Sequence, residues 1–458
     1  MESSPAAGDA GAVLAQARTS TVQLGGWGRY PMVEGHEEWS EDLQGSTQGA
    51  ALTRGLGRSY GDASLPACTR DRVVNSSLAD RFITFDPDTG VLRAEAGCPL
   101  WRVNRVFLPR GWFTPVTPGT HYVTLGGMVA ADVHGKSHHR DGCFGEHVTL
   151  LKLRVADGRI VECSDEAERD LFRATLGGMG LTGHILEVAF RLRRIPSPWI
   201  WQESERTPNF EATLSSLQAA KTWPFTVCWA DFLNKGSRAG RGIVMKGRWA
   251  EPHEAPKAPP SFRRPVTVPF VFPNWFLQPW MVQVFNWLNY LKHGPRLRAG
   301  IIHPETFWYP LDTVQYWNRV YGRRGFTQYQ CVLPVDGGWS RHRAVLELLQ
   351  RHRAPVFLCV IKDCGAEGRG TLSFPKPGIS YALDMPVAPS TQPLVDALNE
   401  FVIAEGGRVY LAKDAFTRAE HFRAMEPRLD AWERVRRTWD PQRRLRSAQS
   451  VRLFGDQP

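Results

Sequence analysis

The stretch Arg54-Gly55-Leu56-Gly57-Arg58-Ser59-Tyr60-Gly61-Asp62 is answered far downstream by Pro118-Gly119-Thr120 and by Gly126-Gly127-Met128-Val129-Ala130-Ala131-Asp132-Val133-His134-Gly135-Lys136. Two glycine-rich loops this far apart point to one group held between them. Glycine lets backbone N–H groups approach a phosphate with no side chain in the way, and consecutive amides in a turn form an anion-binding nest. A dinucleotide is the natural guest. A Rossmann unit would require G-x-G-x-x-G between a strand and a helix. Here Gly55, Gly57 and Gly61 are spaced more widely, and Pro66, following Ala63-Ser64-Leu65, bars a long helix. The Rossmann arrangement fails on context.

At 458 residues the chain exceeds the length at which one hydrophobic core stops growing, so two domains are expected. Residues 18–195 carry short strand candidates at 72–74, 91–96, 148–155 and 184–192, with few long helices. Ile195-Pro196-Ser197-Pro198 then punctuates the chain and marks a boundary. Beyond it, strands at 225–232, 328–333, 355–361 and 379–385 interleave with helices at 341–352 and 393–404. Ser390 and Thr391 are the caps of the latter helix, and Gly406-Gly407 stop it. Strands alternating with helices on one side predict an α+β class. The proline-rich stretch 251–269 reads as a long flexible loop.

Formal net charge is +10, from 56 basic and 46 acidic residues, which favours an acidic partner: nucleic acid, an anionic membrane surface or a phosphorylated substrate. No run of five or more basic residues and no nucleic-acid module is present, so nucleic acid is not expected. Eight cysteines without C-x-x-C pairing fit a reducing, cytoplasmic compartment. Residues 1–25 lack the apolar core of a signal peptide.

Residues 265–291 are uncharged and long enough to span a bilayer. Yet Pro265, Pro269, Pro273 and Pro279, with Asn274, Gln278, Gln283, Asn286 and Asn289, would leave polar groups in hydrocarbon, so a spanning helix is not expected. A short helix from Trp280 to Leu291 is expected instead, with Met281, Val284, Phe285, Leu288 and Leu291 at helical spacing. Two readings of it stand. One packs it into the core; the other lays it in a membrane interface, with Trp280, Trp287 and Tyr290 beside Arg263, Arg264, Lys292, Arg296 and Arg298.

The glycine loops share the chain with Gly177-Gly178-Met179-Gly180-Leu181-Thr182-Gly183, Tyr309-Pro310-Leu311-Asp312, Trp317-Asn318-Arg319, Gln328-Tyr329-Gln330, Ser373-Phe374-Pro375, Tyr410-Leu411-Ala412-Lys413-Asp414 and Asp440-Pro441. In this order they resemble the FAD-linked oxidases of vanillyl-alcohol-oxidase (PCMH) type and, within them, the decaprenylphosphoryl-β-D-ribose 2′-oxidase family, nearly end to end. The resemblance implies a two-lobed FAD-binding domain over 18–195 and an α+β substrate domain with an antiparallel sheet over 196–412. It implies too that 413–458 return to the flavin domain. The implied activity oxidises the 2′-hydroxyl of a polyprenyl-phosphoryl ribose to the 2′-keto sugar, and an NADH-dependent short-chain dehydrogenase partner completes the epimerisation. A soluble sugar, alditol or aldono-1,4-lactone oxidase using oxygen is the alternative on this fold. A flavoprotein scaffold without catalysis is the rival from another class.

By resemblance, FAD is held by Arg54, Gly55, Gly57, Arg58, Ser59, Tyr60, Gly61, Pro118, Gly119, Thr120, Thr124, Gly126, Gly127, Ala130, Ala131, Gly178, Gly180, Gly183, Ile185 and Tyr410. A lysine at a strand end is ordinarily a solvated charge. The motif around Lys413 makes it the catalytic lysine, since a fixed ammonium stabilises negative charge that reaches flavin N1 and the C2 carbonyl. His134, His138 and His139 raise a metal site, but Gly135 disfavours the helix that would align them and no third ligand is marked, so no metal is expected. The resemblance turns His134 to flavin and substrate, and Lys136 to cofactor or phosphate. Trp308, Tyr309, Asn318, Gln328, Gln330, Lys362 and Asp384 line the substrate face, offering amides and a phenol for sugar hydroxyls and a lysine for phosphate. Many relatives bond FAD covalently through a histidine where this chain has Arg58-Ser59-Tyr60, so FAD is expected to be non-covalent, with His134 the other possible attachment point. Ala382 stands where mycobacterial members carry a cysteine.

Overall fold

The computed structural model describes residues 18–262, 264–293, 297–336 and 338–458. Arg18–Gly25 and Met32–Trp39 run antiparallel, and Arg72–Asn75 and Leu52–Arg54 extend them in parallel into a four-stranded sheet. Phe82–Phe85, Val91–Glu95, His184–Arg191, Val148–Arg154 and Ile160–Cys163 form, in that order, a five-stranded antiparallel sheet. Its central strand His184–Arg191 is buried along nearly its whole length, with the short helix Leu125–Ala130 packed against it. Helix Leu100–Phe107 buries Leu100, Val103 and Phe107, the spacing that puts three side chains on one face.

The chain crosses to a third sheet between Arg193–Arg194 and Ile200–Thr207. That sheet has eight antiparallel strands in the order Arg298–Ile302, Ile200–Thr207, Arg241–Trp249, Phe225–Asp231, Leu358–Cys364, Gly378–Pro386, Phe326–Leu333, Arg408–Val409. Helices Phe210–Ala219, Ser340–Arg351 and Thr391–Ala404 cover one face, where Leu214, Val345, Leu349 and Leu398 join Tyr329, Cys331, Ile379, Tyr381 and Leu383 in the main core. Side chains alternate along a strand, so Gln328, Gln330, Ser380, Ala382 and Asp384, with Lys362 on the paired strand, share the opposite face. That face meets the second glycine loop: Gln330 Nε2 lies 2.8 Å from His134 Nε2.

Helix Ala419–Met425 packs on Thr391–Ala404 and Arg408–Val409, and helices Leu429–Trp439 and Ala448–Phe454 then return to the N-terminal part of the chain. Trp432 Nε1 donates to the Ala174 carbonyl at 2.9 Å, and Arg446 meets Asp71 at 2.6 Å. A reciprocal capping box between Ser447 and Ser450 starts the last helix.

Several local expectations are corrected. The strand expected at 355–361 runs Leu358–Cys364, because Pro355 has no N–H to give a ladder, and Lys362 therefore lies inside it. Ser390 has helical backbone angles, so its hydroxyl makes no cap, and Thr391 Oγ1 instead accepts from Ala388 N–H at 2.9 Å. Lys413 is not at a strand end: after Arg408–Val409 the chain turns, with Lys413 N–H donating to the Tyr410 carbonyl at 3.0 Å. Within the stretch 251–269, Val266–Thr267 pairs in parallel with Val314–Gln315. The expected helix runs Pro279–Lys292, but the core-packing reading of it does not hold, since only Val282 and Asn286 are buried. Residues 1–17, Arg263 and Arg296 lie outside the described residues. Among the described residues, no helix is long and apolar enough to cross a membrane.

Candidate active site

Arg54 ends the strand Leu52–Arg54, and its guanidinium turns back to the Ser64 carbonyl and hydroxyl and to the Gly25 carbonyl at 2.7 Å, bracing the base of the first glycine loop. The tip of that loop lies on the turn that carries Lys413. Tyr60 N–H donates to the Ala412 carbonyl at 2.9 Å, and a Cβ at Gly61 would fall 2.0 Å from the Asp414 carbonyl oxygen. Only glycine permits that approach. Lys413 Nζ then sits 3.8 Å from the centroid of the Tyr60 ring. Arg452, from the last helix, clamps the junction by pairing with Asp62 at 2.7 Å and Asp414 at 2.8 Å.

Thr124 caps the helix of the second loop, its Oγ1 accepting from Gly127 N–H at 3.2 Å. A Cβ at Gly55 would lie 2.4 Å from that same oxygen, so the two glycine loops touch because residue 55 has no side chain. Met179 N–H donates to the Ala130 carbonyl at 2.8 Å and Tyr410 OH to the Ala131 carbonyl at 2.9 Å, which joins Gly178, Gly180 and Gly183 and the lysine turn to the same helix. Gly183 leads directly into the strand bearing Ile185. Gly119 and Gly180, by contrast, border open space. Next to Gly119, Thr120 Oγ1 accepts from Tyr122 N–H at 3.1 Å.

Where the loops meet the sheet, the electrostatics are those of ionisable groups out of water. The Gln328 amide donates to Asp384 Oδ1, while Asp384 Oδ2 is buried without a partner. Burial pushes the Asp384 carboxyl up, with the Gln328 hydrogen bond and the nearby Lys413 charge opposing. Burial pulls the Lys413 ammonium down, with Asp384 opposing and Lys362 adding. His134 is held far below the usual histidine range by burial and then by Lys362, so its ring is neutral. With Nε2 accepting from Gln330, the proton resides on Nδ1. The three neighbouring imidazoles face different partners: His134 meets Gln330, His138 accepts from Gly365 N–H at 3.0 Å, and His139 Nε2 lies 2.8 Å from the Trp223 carbonyl.

The structure thus brings together Lys413, Tyr60, His134, Gln328, Gln330, Lys362 and Asp384. Three other expected residues, Tyr309, Asn318 and Lys136, have polar groups engaged within the protein, and Trp308 is packed among aromatic rings. Tyr309 OH is bonded by Asn104 at 2.9 Å and Thr117 at 2.6 Å, Asn318 Nδ2 donates to the Trp27 carbonyl at 2.8 Å, and Trp308 is buried among Phe113, Phe225 and Trp249. Lys136 donates to the Phe307 carbonyl and, at 3.4 Å, to that of Trp308. Burial, helped by Lys362, takes its ammonium down to about 7. An unfolded chain then binds more protons at this residue than the folded one from about pH 7 up to the ordinary lysine range, so stability rises with pH across that window. Thermal unfolding of the parent and Lys136→Met should show the parent gaining relative to the variant across it. A pH-independent difference would contradict this.

Sequence reasoning named Arg58 and Tyr60 but missed the side chains that place them, and missed Ser380 and Arg452 altogether. Arg58 is held between the rings of Trp27 at 3.9 Å and Tyr122 at 5.2 Å. Tyr60 packs edge-on against Phe326, which stacks on Tyr321. Ser380, which accepts from Gln330 at 3.1 Å, was findable by alternation from Ala382 and Asp384. No local pattern marks Arg452.

These residues fit a flavin dinucleotide. Arg58 Nε, His134 Nδ1, Trp308 Nε1, Asn318 Oδ1 and Asp384 Oδ2 are buried polar atoms without a protein partner, a condition that folded chains resolve with ligand or water. The close-approach glycines suit a pyrophosphate. Residues 46–164 match the family model described as FAD binding domain, which puts this fold and site among the FAD-dependent oxidoreductases. Over 442 residues, 92% of this chain and 95% of that protein, the sequence is 34% identical to decaprenylphosphoryl-β-D-ribose oxidase of Mycolicibacterium smegmatis. The chain belongs to the family of that oxidase. An uncharacterised Streptomyces coelicolor protein is 33% identical over 75% of this chain and 96% of its own length. A putative D-arabinono-1,4-lactone oxidase of Neurospora crassa is 33% identical over 30% of this chain and 24% of its own length.

Proposed function

We propose that the protein oxidises the 2′-hydroxyl of a polyprenyl-phosphoryl ribose to the 2′-keto sugar. The observation that carries this is the buried Lys413–Asp384 pair, flanked by Gln328, Gln330 and Lys362 beside two touching glycine loops. FAD, when bound, supplies the hydride acceptor. In this reading residues 18–195 hold it, 196–412 receive the sugar phosphate and 413–458 return to the flavin domain. Lys413 supplies fixed positive charge for the negative charge that develops on oxidation. Asp384, raised by burial, holds the departing hydroxyl proton at Oδ2. Gln328 and Gln330 orient the sugar hydroxyls, and Lys362 meets the phosphate.

Oxidation leaves a ketone, so an NADH-dependent short-chain dehydrogenase is the partner that reduces it from the other face. The chain then works in the cytoplasm or at the membrane periphery. Borohydride trapping of the product checks the position of oxidation: ribose and arabinose epimers in the hydrolysate are expected, and ribose alone would contradict it. The lactone-oxidase alternative draws on a match over 139 residues, 30% of this chain. A scaffold has no use for a buried lysine beside a buried carboxyl, which costs folding energy.

The attachment of FAD is proposed to be non-covalent, because Tyr60 occupies the position from which a histidine would bond it. Acid precipitation should leave the flavin in the supernatant. Flavin retained by the pellet would contradict this and point to His134.

A further inference from the structure

Helix Pro279–Lys292 is mounted with its polar side inward. Asn286, 2% exposed, donates to Asp231 Oδ1 at 3.0 Å, and Tyr290 OH donates to the Thr207 carbonyl at 3.3 Å. Trp280 and Phe285 are 64% and 65% exposed, and Val284, Trp287 and Leu288 also face solvent. In the segments flanking the helix, Val266, Phe270, Trp275 and Leu297 are exposed as well. Single exposed apolar residues are ordinary, but a contiguous group of this kind marks an interaction surface.

Charge and composition select its occupant. Residues 255–304 contain no Asp or Glu, yet carry Lys257, Arg263, Arg264, Lys292, Arg296 and Arg298. Of these, Lys257, Arg264, Lys292 and Arg298 are exposed. Tryptophans among exposed aliphatic side chains, in a segment that carries exposed cations and no carboxylate of its own, match the interface of an anionic bilayer. At 14 residues the helix is too short to span, so it lies on the surface. The inner edge of the patch leads to the site. Leu277 and Val282 pack in one cluster with Tyr60, Tyr321, Phe326 and Phe357, and Tyr60 is the ring beside Lys413 Nζ.

We propose that this face docks on an anionic lipid bilayer and that the prenyl chain of the substrate passes along it to the Tyr60 cluster; the second half rests on the prenyl-phosphate reading above. Docking then keeps the lipid in apolar surroundings while its phosphoryl sugar reaches the polar sheet face.

The test is co-sedimentation of the full-length holoprotein with phosphatidylcholine vesicles, with and without phosphatidylglycerol. Binding is expected only to the anionic vesicles and should fall with salt. The combined variant Trp280→Ser, Phe285→Ser, Leu288→Ser should weaken it by roughly tenfold or more. The pair Lys292→Glu, Arg298→Glu should do the same by roughly tenfold or more, and decides the matter if the serine variant does not fold. Both variants should reduce flavin normally with a short, water-soluble prenylphosphoryl ribose and slowly with a long-chain one in vesicles. A parent that ignores anionic vesicles, or variants that bind as it does, would overturn the proposal. So would a parent dimer that Trp280→Ser dissociates without a change in vesicle binding, which would make the patch a contact between copies. Vesicle binding that follows these variants while no prenylphosphoryl ribose reduces the flavin would uphold docking and sink the functional reading instead.

Discussion

Lys413→Ala is expected to slow flavin reduction by substrate a few hundredfold, about 3 to 4 kcal/mol of lost stabilisation at the developing charge. The fold should survive. The ammonium is pulled down by burial, so in the folded protein it is a poorly solvated charge lying over the face of Tyr60. Its removal leaves the Tyr60-to-Ala412 and Gly61-to-Asp414 backbone packing in place. The measurement is anaerobic stopped-flow reduction, with flavin content and thermal unfolding recorded alongside. A variant that is reduced within a few fold of the parent would show that Lys413 is not the stabilising cation.

Arg452→Ala is expected to destabilise the protein by about 3 kcal/mol or more and to weaken flavin retention, because it strands two carboxylates that Arg452 now bridges. Asp62 is already raised, chiefly by burial, with Arg452 opposing and Asp414 adding. Without the guanidinium those two charges confront each other at the seam between the first glycine loop and the lysine turn. Arg452→Lys should recover only part of the loss, since one ammonium cannot reproduce a fork that reaches Asp62, Asp414 and the Thr417 carbonyl. Denaturant midpoints and flavin affinity check both variants. An alanine variant with the parent's midpoint would contradict this role for the C-terminal helix.

Much of this architecture is legible locally. Strand periodicity located the sheet strand carrying Gln328 and Gln330 and the strand carrying Asp384, and alternation of side chains puts these residues on one face. The glycine spacing marked both loops, and Gly55 and Gly61 turn out to be glycines because Thr124 and Asp414 press against them. What local pattern hides is whatever depends on distant closure. Arg452 meets Asp62 across nearly the whole chain, and nothing near either residue announces it. The engagement of Lys136 with Phe307 and Trp308 is hidden for the same reason, since a lysine in a glycine loop reads equally as a ligand for phosphate. From sequence, helix Pro279–Lys292 admits two readings for another reason. Its apolar spacing is that of a core helix, and only the bond from Asn286 to Asp231 reveals which side faces in.

The central claim is that a prenylphosphoryl ribose gives up hydride in this site, and anaerobic mixing of the holoprotein with that substrate, watched at the visible flavin band, tests it most directly. Bleaching with prenylphosphoryl ribose, and little or none with D-arabinono-1,4-lactone, is the predicted result. Bleaching by the lactone with no response to the prenylphosphoryl sugar would contradict it.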